Sequence, residues 1–209
     1  MRLLVPRAQL PIFKEIVGRV VEIRSQLCHG KFWKGTGVII TPDGLILTAA
    51  HIISKNRTVQ AYRWTLDARS GIMRRLGPAL VAKVKHVDLR TDFALLQLTT
   101  PPPDLRGSKL MPHQRLPLDL PTYCVGFGQT KLSSGYVHGH RLHQRVNHYV
   151  ASLTGGPGGS GGPVCDSFGN VIGIIVRGLV GHRLPNCAWI LPVGTILSRL
   201  RRLTAKLPE

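Results

Sequence analysis

The chain has 209 residues, 43% of them hydrophobic, enough to bury one large core or two smaller ones. Against 28 Lys and Arg stand only 10 Asp and Glu, a formal net charge of +18 that invites a nonspecific polyanion partner. The basic residues are spread along the whole length, and there is no zinc-finger spacing, RNP-like run or heptad array. A dedicated nucleic-acid reader is therefore not indicated, and a solvated basic surface accounts for the charge equally well.

Residues 1–15 read as an N-terminal extension. Their apolar stretch, MRLLVPRAQLPIF, is too short and interrupted for the core of a secretory signal, and no run of about 18 apolar residues occurs anywhere to cross a membrane as a helix. A cytoplasmic chain without a membrane span is the resulting expectation. Residues 16–104 carry short β-rich runs separated by Gly, Pro, Asp and Asn: VGRVVEIRS, GTGVII, GLILTAA, TVQAYRWT, LVAKVKHV and FALLQL. Within this unit TPDG, with Pro42 second and Gly44 fourth, suits a type I turn between two apolar strands. The proline-rich residues 105–118 cannot form a central strand and read as a connection. Residues 119–193 resume the β pattern with TYCVGFG, NHYVAS, GNVIGIIV and CAWILPV. In 194–209, Ile196, Leu197, Leu200 and Leu203 fall at helical spacing, predicting an amphipathic closing helix and tail. The class is mainly β, in two consecutive units.

Cys28, Cys124, Cys165 and Cys187 are far apart and form no C-x-x-C pair, which removes the usual zinc and redox spacings. Four cysteines allow three pairings, and without an export signal reduced, buried thiols are expected. The stretch HGHRLHQRVNH gathers His138, His140, His143 and His148 without an accompanying Cys or acid. It reads as a solvated basic loop rather than a metal site.

The densest local signal is TGGPGGSGGPVC at 154–165. So many glycines beside an apolar strand signify unusual dihedrals and close backbone approach, as a nucleophilic Ser160 on a tight turn would require. Such a serine needs a base. His51 ends the apolar run GLILTAA, and of the acids between it and Ser160 (Asp67, Asp88, Asp92, Asp104, Asp119), Asp92 directly precedes the strand FALLQL, with Asp88 the fallback.

Through TAAH at His51, TDFALL at Asp92 and GGSGGPV at Ser160, in that order over residues 18–200, the chain resembles the trypsin-like serine proteases, in particular the HtrA-type protease domain. The resemblance implies two six-stranded antiparallel β-barrels, with His51 and Asp92 from the first and Ser160 from the second. It implies an oxyanion hole made by the backbone N–H groups of Gly158 and Ser160, a polypeptide substrate and no cofactor or metal. It also implies a substrate pocket around Thr154, Val176, Gly178 and Ala188, with Arg177 beside the extended substrate. None of these pocket residues is acidic, so small or medium apolar side chains are expected before the cut rather than Lys or Arg. Gly159 stands where members activated by cleavage carry Asp, so the IVGR at 16–19 reads as coincidence, and Gly159 leaves the resting geometry of the turn open. Two alternatives remain at this point: a protease-like module that only binds, and a fold whose basic surface engages nucleic acid or another polyanion.

Overall fold

A computed structural model describes residues 6–26, 31–53, 57–67, 69–113, 115–127, 132–153, 156–179 and 187–204; Cys28, Gly128 and Thr154 lie outside these, as do residues 1–5 and 205–209. After a single 3-10 turn at Arg7–Gln9 comes helix α1 (Leu10–Val17). Seven strands follow: β1 (Val20–Gln26), β2 (Phe32–Ile39), β3 (Leu45–Thr48), β4 (Thr58–Leu66), β5 (Met73–Arg75), β6 (Leu80–Asp88) and β7 (Phe93–Leu98). They are ordered β1-β2-β3-β7-β6-β4, and pairing of β1 with β4 closes six of them into a ring, with β5 added outside on β4. The second barrel is closed as β10-β13-β12-β11-β8-β9, from β8 (Pro121–Val125), β9 (Leu132–His143), β10 (Val146–Ala151), β11 (Pro163–Cys165), β12 (Val171–Leu179) and β13 (Cys187–Pro192). All the barrel pairings are antiparallel, and helix α2 (Val193–Thr204) ends the fold. The expected mainly-β architecture of two six-stranded barrels and a C-terminal helix is the one observed.

The apolar runs are nearly continuous because several strands are covered on both faces. Along β13, Ala188 and Ile190 fill the second barrel, while the intervening Trp189 and Leu191 join a separate cluster between the barrels. Along β7, Leu96 and Leu98 point into the first barrel and Phe93 into the same inter-barrel cluster. Full burial of one such side chain contributes roughly 1.5–3 kcal/mol. The shared cluster therefore holds the two barrels in one arrangement, and the cleft between them depends on it.

Four elements differ from the sequence reading. Helix α1 occupies residues expected to be extension and strand; it is one amphipathic helix of 8 residues, with Leu10, Phe13, Ile16 and Val17 buried in the inter-barrel cluster. Strands β5 and β11 have 3 residues each, too few to show a period. The histidine-rich stretch is not a solvated loop: it forms the end of β9 and the start of β10, joined at a turn where Gln144 and Arg145 have φ of 49° and 63°. Two left-handed residues in a two-residue hairpin turn are the type I′ requirement, normally met by Asn-Gly, so the usual sequence signal is missing here.

Candidate active site

His51 lies in a 3-10 turn (Ala50–Ile52) directly after β3, flanked by the fully buried Ala49 and Ala50 and the nearly buried Ile52, which anchor the backbone while the imidazole reaches the surface. Asp92 ends a tight turn and has a left-handed φ of 64°. Both its oxygens are committed to His51: Oδ1 accepts the backbone N–H at 2.9 Å and Oδ2 lies 2.8 Å from Nδ1. With Nδ1–H donated to the carboxylate, Nε2 is left with the lone pair that can take up a proton. Asp88 serves the turn instead, its Oδ1 accepting the N–H groups of Arg90 and Thr91 at 3.0 Å each.

Ser160 stands on a turn whose glycines have individual reasons. Gly158 has φ of 91° and Gly161 of 81°. A Cβ on Gly161 would come within 2.1 Å of the Thr36 carbonyl oxygen, so this turn rests directly on the first barrel. The amide of Gly159 donates to Gly156 O at 2.9 Å, that of Gly161 to Ile175 O at 2.7 Å, and that of Gly162 to Gly159 O at 3.0 Å. Those of Gly158 and Ser160 donate to no backbone carbonyl among the described residues. Gly159 is buried, and its N–H and C=O are both bonded within the turn, so it is held in place despite lacking a side chain.

Thr36, on β2, was not singled out by the sequence. It is fully buried, and all its polar atoms meet this region: its N–H donates to Ser160 O at 2.8 Å, and its hydroxyl donates to Gly158 O at 2.7 Å while accepting the Phe127 N–H at 2.9 Å. Its own carbonyl accepts the Thr48 hydroxyl at 2.6 Å. One first-barrel residue thus fixes the carbonyls on either side of the Gly159 peptide. No local pattern reveals it, because its partners on the Ser160 turn are more than a hundred residues away in the chain.

His51, Asp92 and Ser160 line one cleft of about 480 Å³, together with Val176, Arg177 and Gly178. Thr154 lies outside the described residues. Ala188 packs in the core of the second barrel, and its neighbour Trp189 lines the cleft instead. His143 and His148 also border it, with ring centroids 5.2 and 5.7 Å from that of Trp189. Burial pulls the pKa of His148 down, while the contact of its Nδ1 with the Val146 carbonyl at 3.0 Å works in the opposite direction. Cys124, Cys165 and Cys187 are buried free thiols; burial pushes Cys124 up to about 12 and Cys165 in the same direction.

A model of the trypsin-like peptidase domain matches residues 35–174. Serine protease HTRA4 of Homo sapiens is 25% identical over 169 residues, covering 74% of this chain and 33% of that protein. Serine protease HTRA1B of Danio rerio is 27% identical over 151 residues, covering 67% and 29%. The chain spans about a third of the length of the curated relatives it matches. Among solved structures, the Rv3671c protease of M. tuberculosis in its active form superposes with a TM-score of 0.77 at 20% identity, over 100% of this chain and 91% of that one. An HtrA-type protease, AlgW, solved with a tripeptide, gives 0.75 at 17% identity over 97% and 64%. These two likenesses are of fold. The family match begins on β2 and ends on β12, and so takes in all three residues that meet in the cleft: the chain belongs to the trypsin-like peptidase domain family.

Proposed function

We propose that this chain cuts polypeptides with Ser160 as nucleophile, His51 as general base and Asp92 as the group that orients it. An unaided serine hydroxyl is a weak nucleophile, so Oγ must lose its proton to His51 Nε2 as it attacks the peptide carbonyl. The imidazolium then protonates the leaving amine as the C–N bond breaks. Water, deprotonated by the same imidazole, releases the acyl group from Ser160. The Gly158 and Ser160 N–H groups receive the oxyanion; their lack of a backbone acceptor among the described residues supports this role. Val176 and Gly178, with Trp189 in the place expected for Ala188, border the space that receives the residue before the cut. No cofactor enters any step. We take residues 16–104 and 119–193 as the two barrel units, joined by 105–118, with 1–15 as an N-terminal extension and 194–209 as the C-terminal helix and tail.

The observation that carries this reading is the imidazole of His51 held through Nδ1 and its own backbone by both Asp92 oxygens, in the cleft that Ser160 lines. The test is hydrolysis of unfolded protein by wild type and by Ser160→Ala and His51→Ala. Loss of about 10³-fold or more in both variants is expected; equal activity in the serine variant rejects the mechanism. A second reading, a binding module for nucleic acid or another polyanion, draws on a groove of about 720 Å³ bordered by His113, Arg115, His140 and Arg199. It predicts steeply salt-dependent polyanion binding, unchanged by Ser160→Ala.

A further inference from the structure

Beyond Ile175 the edge of β12 facing the Ser160 turn has no strand partner among the described residues. β11 pairs with β12 no further than Ile174, Ile175 exchanges hydrogen bonds with Gly161 and Gly162 at 2.7 and 2.9 Å, and Val176–Gly178 have β13 on one side only among the described residues. An unpaired edge of this kind accepts an extended peptide by strand addition, and three residues of edge pair with about three residues of peptide. Arg177 is the middle residue of that edge.

The Arg177 side chain is not a stray surface group. Its guanidinium lies 5.3 Å from the centroid of the Trp189 indole, and that of Arg141, from β9, lies 5.0 Å from the same centroid. Arg90, on the turn before Asp92, borders the same cleft from the first barrel. None of the three has a carboxylate partner among the described residues, whose ion pairs use Arg19, Arg24, Arg63, Arg75 and His51. Asp92, the acid lining the cleft, is spent on His51. Two buried polar side-chain atoms without partners, Thr91 Oγ1 and Trp189 Nε1, also belong to residues of this cleft. The cleft beside the free edge therefore holds positive charge that no carboxylate among the described residues meets.

We infer that the cleft selects polypeptides with Asp or Glu within about four residues before the cut bond, their carboxylate received by Arg177, with Arg90 and Arg141 adding to the field. This rests on the protease reading above, in which Val176 and Gly178 receive the residue before the cut, and extends it to a substrate segment lying along Val176–Gly178. Stacking on Trp189 pre-orders the long Arg177 side chain, so less freedom is lost when its planar fork meets a carboxylate, and the guanidinium keeps its charge at every working pH.

Two experiments separate this inference from the reading beneath it. In the first, wild type digests a proteome-derived peptide library and the residues around each cut are read by mass spectrometry. We expect acidic residues before the cut to exceed Lys by about tenfold, the factor that about 1.4 kcal/mol supplies. Arg177→Glu should invert that preference, and Arg90→Glu, on an exposed turn that tolerates change, should weaken it. In the second, fluorescein-labelled peptides differing only in Glu or Lys are titrated against Ser160→Ala at low salt, with Lys14→Glu as a control of equal charge change on the exposed side of α1. Tighter binding of the Glu peptide, lost in Ser160→Ala/Arg177→Glu and kept in Ser160→Ala/Lys14→Glu, supports the inference even if wild type cuts nothing, which would sink the protease reading alone. A cutting enzyme with no acidic preference, equal binding of the two peptides, or an equal loss in both charge variants overturns it.

Discussion

Replacing Thr36 by Val keeps the shape of a fully buried side chain and removes one hydroxyl, the one that ties the first barrel to the Ser160 turn. Two hydrogen bonds go with it, to Gly158 O at 2.7 Å and from Phe127 N–H at 2.9 Å. Each contributes about 1 kcal/mol net, and the stranded Phe127 amide adds desolvation, so a loss of about 2–3 kcal/mol in stability is expected. The effect on catalysis is separable. If the Gly158 carbonyl is no longer held, the backbone that presents the Gly158 N–H relaxes, and loss of one oxyanion donor lowers kcat by about 10²–10³-fold with little change in KM. Thr36→Ser, which retains the hydroxyl, should restore kcat. The assay is steady-state hydrolysis of a peptide well below the Tm of each variant, with unfolding followed separately. A Thr36→Val enzyme with reduced Tm but kcat within about twofold of wild type would show that Thr36 is only a packing residue and refute the positioning argument.

Gly161→Ala should fail more severely, because its Cβ would meet Thr36 O at 2.1 Å and Thr48 Oγ1 at 2.3 Å with φ at 81°; a loss of at least about 3 kcal/mol is expected in chemical denaturation. For His148 the folded pKa lies below the ordinary 6.5, so the unfolded chain binds its proton first and stability falls as pH drops through about 6.5 and below. The Tm of His148→Asn should show a shallower decline between about pH 7 and 5, whereas an unchanged slope would remove His148 from the acid response. Asp67 and Asp104 have lowered pKa values, through Ser70 and Arg63 respectively, and their contributions are lost only at lower pH, below the ordinary 3.8. Cys124 and Cys165, buried and with thiols pushed up, should resist iodoacetamide at pH 8 until the protein is unfolded, read as mass added per chain.

The parts of this molecule that could be read from its sequence are those where neighbours in the chain determine the outcome. The runs GLILTAA, FALLQL and CAWILPV are apolar on both faces because each is wedged between a barrel interior and the inter-barrel cluster. The density of glycine around Ser160 reflects real positive φ at Gly158 and Gly161. What escaped notice depends on distant partners or on missing signals. The β9–β10 hairpin carries polar residues on an exposed face and turns through Gln144-Arg145, so neither alternation nor a turn pair announces it. Helix α1 has only two turns of pattern. Thr36 joins residues more than a hundred positions away, and Trp189 replaces Ala188 at the cleft because alternation along β13 turns the alanine into the barrel. Arg177 was visible in the sequence, but its contact with Trp189 follows from cross-strand register between β12 and β13.

The central claim is that Ser160 is made nucleophilic by His51, and a fluorophosphonate probe reads that directly. Purified protein should be labelled at Ser160 alone, as located by mass spectrometry of the modified peptide, and labelling should vanish in both Ser160→Ala and His51→Ala. Absence of labelling in protein shown to be folded, or labelling that survives in the His51 variant, would contradict the account.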